Sequence, residues 1–243
     1  LILHTSGTTG RPKMVPLTHR NLITSANHVV ETYGLTPKDR TMLIMSSPYL
    51  YRYNIQGLVA SFLSPLRSGG AIVLPPRLEP TFWDQFLQHH ATWYSATPTM
   101  HSLLLNYPKS GSWHEICFIR SGSSLLSPAH YTDLEQSIGA PAIESYGMTG
   151  AGHMISGYPM PSLHRKLGSV GRVSGSIELC NLDSKGQAII ERRRRRDLPP
   201  LGDFRASEQG YLDDEGHRTS HFKMLRLTSV LRLTSLPAVL LPY

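Results

Sequence analysis

The sequence contains few cysteines, and their small number excludes two kinds of architecture. Cys117 and Cys180 are the only two among the 243 residues. Two thiols so far apart in the chain cannot build a disulfide framework or a clustered thiolate metal site. We therefore predict a protein of a reducing compartment in which both cysteines are buried packing residues.

Long apolar runs are absent as well. The longest apolar stretch, 227–243, is interrupted by Arg232 and by two prolines, whereas a membrane-spanning helix needs about 20 consecutive apolar residues. No signal peptide is recognisable at the start of the sequence. With 40% hydrophobic and 17% charged residues, the composition is typical of a folded globular protein, and we expect no membrane span.

Positive charge is concentrated late in the chain. Residues 1–150 carry 10 Lys and Arg against 8 Asp and Glu, a net +2, and residues 151–243 carry 14 against 9, a net +5. Five of the late positive charges form the run Arg192–Arg196, which could attract phosphate, nucleic acid or an anionic membrane surface. No recognition helix or aromatic platform accompanies this run. A solvated loop is the favoured interpretation, and an anion or nucleic-acid binder is kept as an alternative.

Short apolar segments alternate with helical patterns of about ten residues. The predicted strands cover 41–46, 71–74, 92–95, 116–120 and 142–146, and the predicted helices cover 18–33, 55–66, 81–90, 98–106 and 127–138. This alternation predicts an α/β fold in which a mostly parallel sheet is flanked by helices. After residue 168, strand-like pieces at 176–182 and 187–190 predict a small antiparallel β unit.

A loop rich in glycine and hydroxyl groups follows the first apolar residues. It contains Thr5, Ser6, Gly7, Thr8, Thr9, Gly10 and Lys13. Backbone N–H groups, hydroxyls and a lysine ammonium at close range suit a polyphosphate. The loop is not a Walker P-loop, because Pro12 occupies a position where that motif needs glycine. Since ligands bind beyond the carboxyl ends of parallel strands, we expect this loop and the segment after Tyr146 to face one crevice.

The string Thr5–Lys13 resembles the phosphate-loop signature of the adenylate-forming superfamily, which includes acyl-CoA synthetases, luciferases and nonribosomal peptide adenylation domains. Further resemblances follow in the family's order at Glu144–Thr149, Gly168–Gly171 and Gly210–Gly216. The segment Trp93–Thr99, together with residues 69–83, is most similar to the oxalate–CoA ligase and peroxisomal CoA synthetase branch. The resemblance extends from residue 1 to about residue 216.

This resemblance implies a reaction and a set of site residues. A small carboxylic acid would attack ATP to give an acyl-adenylate, and CoA would then displace AMP, so the implied cofactors are ATP, Mg²⁺ and CoA. Thr149 and Lys13 would be the catalytic residues, with Thr149 also contacting the metal-bound phosphate. The remaining nucleotide-binding residues by resemblance are Thr5, Ser6, Gly7, Thr8, Thr9, Gly10, Ser121, Gly122, Ser123, Glu144, Ser145, Tyr146, Gly147 and Glu208. A cytoplasmic or peroxisomal location would follow.

The sequence also departs from the family pattern. Gly150 replaces a glutamate that supplies an oxygen ligand to Mg²⁺, and Glu208 replaces the aspartate that binds the ribose hydroxyls. The family's N-terminal subdomain and mobile C-terminal domain, with its catalytic lysine, do not appear. We therefore divide the chain into an ATP-binding core at 1–165, a small β subdomain at 166–216 and an aberrant tail at 217–243. The prediction is an impaired ligase fragment, with a non-catalytic nucleotide-binding pseudoenzyme as the alternative.

Overall fold

The computed structural model describes residues 1–4, 14–45, 55–75, 77–108, 115–161, 165, 169–175, 177, 206–207 and 210–211. The strands are β1 (Ile2–His4), β2 (Met14–Pro16), β3 (Arg40–Met42), β4 (Ala71–Val73), β5 (Trp93–Ala96), β6 (Phe118–Ser121), β7 (Ala142–Met148), β8 (His153–Gly157), β9 (Arg172–Val173), β10 (Ala206–Ser207) and β11 (Gly210–Tyr211). The α-helices are α1 (His19–Tyr33), α2 (Ser64–Ser68), α3 (Phe82–Gln88), α4 (Pro98–Leu105) and α5 (Pro128–Ile138).

One seven-stranded sheet organises the described residues, in the order β4-β3-β5-β6-β7-β8-β9. The first five strands in this order run parallel to their neighbours, and β8 and β9 are added antiparallel. Helices connect the parallel strands, as right-handed crossovers require. The predicted α/β class, with a mostly parallel sheet and a smaller antiparallel part, is confirmed.

Two small hairpin sheets lie outside this main sheet. β1 pairs antiparallel with β2, and β10 pairs antiparallel with β11. The strand predicted at 187–190 and the run Arg192–Arg196 lie outside the described residues, as does the strand predicted at 176–182 apart from Ile177. The division into core, β subdomain and tail therefore stays a prediction.

Both faces of the sheet are covered by apolar packing. On one face Trp83 and Tyr94 belong to a core with α3, α4 and α5, and on the other Trp93 and Phe118 pack with α1. Trp93 and Tyr94 are consecutive, and consecutive strand side chains point to opposite faces. Because both faces of the sheet are covered, the sequences of its parallel strands are continuous apolar runs rather than alternating apolar and polar residues.

Helix starts follow the capping signals in the sequence. The Thr18 hydroxyl accepts a hydrogen bond from the Asn21 N–H at 3.1 Å, and the Asn21 side chain accepts one from the Thr18 N–H at 2.9 Å, which gives α1 a reciprocal cap. Helix α1 ends at Gly34, whose φ of 62° is the left-handed conformation that glycine adopts without steric cost. Pro98 and Pro128 occupy the first positions of α4 and α5, where the missing N–H costs nothing.

The helix predicted at 55–66 has an unexpected geometry. Residues Gly57–Leu63 form a π-helical segment that continues into α2. The Ser64 hydroxyl donates to the carbonyl of Val59 at 2.6 Å, and Pro65 offers no N–H to an α-helical ladder. A wider helical turn thus precedes the proline, and hydrophobic periodicity alone does not distinguish it from an α-helix.

Helix α1 joins its side chains to residues from much later in the chain. The Ser25 hydroxyl accepts a hydrogen bond from the Met154 N–H at 3.2 Å, and the Thr32 hydroxyl donates to the Ser174 hydroxyl at 3.3 Å. A Cβ atom at Gly175 would lie 2.1 Å from the His28 ring, so the chain after β9 passes directly over the helix. α1 is therefore held to the sheet by polar contacts as well as by its apolar face.

One prediction about side chains is wrong. Cys117 is exposed rather than buried, because it alternates with Ile116 and Phe118, whose side chains are the ones that enter the core. Within the residues that the structure describes, no helix is long and apolar enough to cross a membrane.

Candidate functional site

The predicted phosphate loop and Glu208 lie outside the described residues. What the structure does describe is the pair of strands that flank the loop. His4, the last residue of β1, lies opposite Met14, the first residue of β2. The segment 5–13 therefore connects two paired strands, and β2 is an element that the sequence pattern did not indicate.

Two predicted site segments meet beside β5, at the carboxyl ends of β6 and β7. Ala96 of β5 is the partner of Ser121 in the parallel register, and Ser121 is in turn the partner of Glu144 on β7. The Ser145 hydroxyl donates to the Ser121 carbonyl at 3.3 Å. The structure thus places Ser121–Ser123 beside Glu144 and Ser145 at the end of the sheet where ligands of parallel α/β folds bind.

Gln56 completes this end of the sheet and was not predicted as a site residue. It precedes the π-helical segment and is 4% exposed. Its carbonyl oxygen accepts a hydrogen bond from the Ser123 hydroxyl, and its Nε2 donates to the Ser95 hydroxyl at 3.1 Å. A Cβ atom at Gly122 would lie 3.0 Å from the same Nε2. Gln56 therefore fixes the loop after β6, and a single glutamine in an apolar helical pattern gives no signal of this.

A buried arginine lies directly behind Gln56. The Arg120 guanidinium, on a residue that is 1% exposed, donates to the Tyr33 hydroxyl at 3.1 Å and to the Ser95 hydroxyl at 2.9 Å. Its third partner is Nε2 of His153 at 3.0 Å. Because a guanidinium can only donate, that imidazole nitrogen must accept, so His153 is neutral. Burial, and secondly the charge of Arg120, hold the pKa of His153 well below its usual range.

Glu144 ties β7 to the loop that follows β6. Its carboxylate accepts a hydrogen bond from the Leu126 N–H at 2.9 Å. Burial raises the pKa of Glu144 above its ordinary value of 4.5, and the bond from Leu126 acts in the opposite direction. The glutamate is therefore a structural acceptor whose ionisation is disfavoured by burial.

We expect Glu144→Gln to become more stable relative to the wild-type chain as the pH rises. A carboxyl group with a raised pKa in the folded state favours folding at low pH and loses that contribution as the pH rises from about 4.5 through the folded pKa. Glutamine keeps the oxygen that accepts from Leu126 but does not ionise. Urea unfolding of both chains between pH 4 and pH 8 measures the difference, and a constant difference across this range would contradict the burial argument.

The turn after β7 carries the last described site residues. β7 ends at Met148, residues Thr149–Ala151 form a single 3₁₀ turn, and a bulge separates Tyr146 from Gly147 in the pairing with β8. Tyr146 and Thr149 are half-buried and Gly150 is exposed. An aromatic ring and a hydroxyl are thus accessible at the mouth of the site.

These residues fit an adenine nucleotide better than they fit a metal ion. The half-exposed ring of Tyr146 offers a stacking surface for a base, whereas Thr149 offers a single neutral oxygen at the turn. No group of three or more His, Cys, Asp or Glu side chains suited to a metal occurs in the described part of the chain. Mg²⁺ usually binds through one or two carboxylates plus substrate phosphates, so a nucleotide would have to supply most of its ligands here.

The sequence matches the family of AMP-binding enzymes over residues 1–193. An oxalate–CoA ligase of Saccharomyces cerevisiae is 37% identical over 239 residues, which cover 89% of this chain and 43% of that protein. A sulfoacetate–CoA ligase of Cupriavidus necator is 37% identical over 177 residues, or 72% of this chain and 34% of that protein.

A solved structure with the same fold is an O-succinylbenzoate coenzyme A synthetase from Bacillus subtilis in complex with ATP and a magnesium ion. Its TM-score is 0.66 at 25% identity, and the match covers 88% of this chain and 48% of that one. The chain therefore spans less than half the length of these relatives.

Proposed function

The chain belongs to the AMP-binding enzyme family, and from that premise we propose that it binds ATP at the carboxyl ends of β5, β6 and β7. It would activate a small carboxylic acid as its adenylate and pass the acyl group to CoA. The observation that carries this proposal is the convergence of the Ser121–Ser123 loop with the Tyr146–Thr149 turn at one end of a parallel sheet. Turnover would be slow, because Gly150 supplies no carboxylate beside Thr149.

The proposed reaction has two balanced steps. A carboxylate oxygen attacks the α-phosphorus of ATP and pyrophosphate leaves, and the CoA sulfur then attacks the acyl carbon while AMP leaves and the thiol proton is released. When bound, Mg²⁺ would neutralise phosphate charge. Of this chain's residues, Tyr146 would stack on adenine, Thr149 would donate to a phosphate oxygen, and the segment 5–13 would hold the β- and γ-phosphates. Positioning and charge stabilisation account for most of such catalysis.

The names of the relatives support a narrower class of acid. Oxalate and sulfoacetate are both short molecules with a carboxylate and a second acidic group. We include this class in the proposal: the acid activated by this chain has few carbons and carries a second negative charge. Close packing of Gln56 against Gly122, where a Cβ atom would lie 3.0 Å from the Gln56 Nε2, leaves little room between these two residues and agrees with a short acid.

The test is nucleotide binding by calorimetry together with ATP–pyrophosphate exchange in the presence of oxalate, malonate or medium-chain fatty acids. We expect binding of ATP and AMP, with exchange on the order of a thousandfold below that of a complete ligase. Tyr146→Leu should weaken AMP binding about fivefold or more, because base stacking on an aromatic ring contributes about 1–3 kcal/mol. Failure of the wild-type chain to bind either nucleotide at millimolar concentration would refute the proposal.

We predict that Gly150→Glu strengthens the binding of ATP with Mg²⁺ by about tenfold, since a carboxylate is a hard oxygen ligand for this ion. A Cβ atom at position 150 would meet only the Met148 Cε at 3.8 Å, so the new side chain has room. Calorimetry with and without Mg²⁺ measures the effect.

Gly150→Ala is the matched control for this prediction, because it adds the same Cβ atom without a carboxylate. It should leave Mg²⁺-dependent binding unchanged. An equal gain in both variants, or a gain that persists without Mg²⁺, would show that the missing carboxylate is not what limits metal binding.

A further inference from the structure

Arg120 is a fully buried cation whose described partners are all neutral. The three groups that contact its guanidinium are the Tyr33 hydroxyl, the Ser95 hydroxyl and the neutral imidazole of His153. Removing a charge from water costs several kcal/mol, and neutral hydrogen bonds recover only a part of that cost. Buried charges are normally paired with an opposite charge, so the absence of a described anionic partner needs an explanation.

The acidic residues near this part of the fold do not supply the missing charge. Every Asp and Glu before residue 178 lies within the described part of the chain, and none of these forms an ion pair with Arg120. Glu144 is on the adjacent strand, but the register pairs it with Ser121 rather than with Arg120. Its carboxylate accepts from Leu126 instead.

A chain of hydrogen bonds connects this cation to the candidate site. Arg120 donates to Ser95 at 2.9 Å, Gln56 also donates to Ser95 at 3.1 Å, and Ser123 donates to Gln56. Ser123 belongs to the loop that forms one wall of the site. The guanidinium, which has no anionic partner among the described residues, is therefore connected through Ser95 and Gln56 to Ser123, beside which an acyl substrate would bind.

A low-dielectric interior lets such a charge act over this distance. The interaction between unit charges is several times stronger near or inside a protein than in water, and buried groups are little screened by salt. An anionic group that arrives beside Gln56 would thus be attracted by Arg120 even without touching it. A neutral or apolar group at the same place would leave the cation without compensation.

We propose that Arg120 is a specificity-determining residue, which acts through Ser95 and Gln56 to favour short acids with a second carboxylate or sulfonate over acids with one carboxylate. This inference rests on the proposed function and assigns a residue to the recognition of the second acidic group. In this proposal the negative charge that balances the buried Arg120 guanidinium comes from the second acidic group of the substrate. No described carboxylate of the protein has that role.

Malonate and propionate provide the test, because they have the same number of carbons and differ in one acidic group. With the full chain saturated with AMP, calorimetry should give malonate an affinity at least about tenfold higher than that of propionate. Arg120→Met should abolish this preference and bring the ratio of the two affinities to about one, since it removes the charge that attracts the second acidic group. Arg120→Lys should retain part of it, and Gln56→Leu should reduce it.

The preference ratio separates recognition from a structural role, because a merely loosened site would weaken both acids equally. An unchanged ratio in Arg120→Met, or equal binding of the two acids by the wild-type chain, would overturn the proposal. If Arg120→Met does not fold, the wild-type chain still decides the matter: the Arg120 Nε–H resonance should shift with malonate and not with propionate. Intact AMP binding without a preference would remove this inference alone, and loss of AMP binding would remove the proposed function.

Discussion

Gly147→Ala should lower the free energy of unfolding by about 3 kcal/mol, at the upper end of the cost of overpacking a well-packed region. A Cβ atom at this position would lie 1.9 Å from the carbonyl oxygen of His153 and 2.7 Å from its carbonyl carbon. These are backbone atoms of the paired strand β8, so they cannot rotate away as a side chain could. Urea unfolding, followed by the tryptophan fluorescence of the chain, measures the loss.

Gly150→Ala is the matched control, three residues along the same segment. Its Cβ atom would meet only a flexible methionine methyl at 3.8 Å, and we expect its stability to stay within about 0.5 kcal/mol of the wild-type value. Equal losses in the two variants would show that β7 and β8 can separate at little cost. The contact also gives Gly147 a packing reason to be glycine, independent of its predicted role at the nucleotide.

Trp83→Ala should destabilise the chain by about 4 kcal/mol, which is typical for removing a buried tryptophan. The ring is 0% exposed, and its Nε1 donates to the Leu104 carbonyl at 2.9 Å. It also lies edge-on to Phe82, with ring centroids 4.8 Å apart, and to Tyr94 at 6.0 Å. Trp83 lies on α3 and its side chain contacts α4. Its loss should therefore loosen the packing of the helices on that face of the sheet.

Two further variants separate the causes of this effect. Trp83→Phe keeps much of the apolar volume but removes the indole donor, while the Leu104 carbonyl still accepts from the Tyr107 N–H at 3.2 Å, so the loss should be about 1 kcal/mol. Leu103→Ala removes a side chain that is 43% exposed on the same helix as Leu104, and it should cost well under 1 kcal/mol. A loss of stability in Leu103→Ala as large as that in Trp83→Ala would contradict the assignment of Trp83 to the core and of Leu103 to the surface.

The element pattern could be predicted because it depends on local signals. Thr18 caps α1 as expected, and glycines in the left-handed conformation end α1, α2 and α5. The parallel strands could be predicted from short apolar runs between these helices. Their ends could not be predicted as well: among the described residues of the strand expected at 41–46, the strand is Arg40–Met42 and the Leu43 N–H still donates to the Val73 carbonyl at 2.9 Å, since pairing depends on neighbours that are distant in sequence.

The candidate site was predicted only in part, and for a similar reason. Ser121–Ser123 and the segment from Glu144 to Thr149 were expected at strand ends, and the sheet does bring them to one edge. Arg120 was not expected there, and Gln56 was not among the predicted site residues. Their meeting through Ser95 joins three segments of the chain, and no pattern within one segment indicates which polar side chains will share the interior.

The contacts of α1 also set the order in which this chain can fold during its synthesis. Thr32 and its partner Ser174 are separated by 142 residues, which a ribosome adding about 5–20 residues per second needs roughly 7–28 s to produce. Until Ser174 is synthesised, the Thr32 hydroxyl lacks this hydrogen bond. Helix α1 is therefore fully docked only after residue 174 has been synthesised, and the growing chain remains open to chaperones and proteases over that interval.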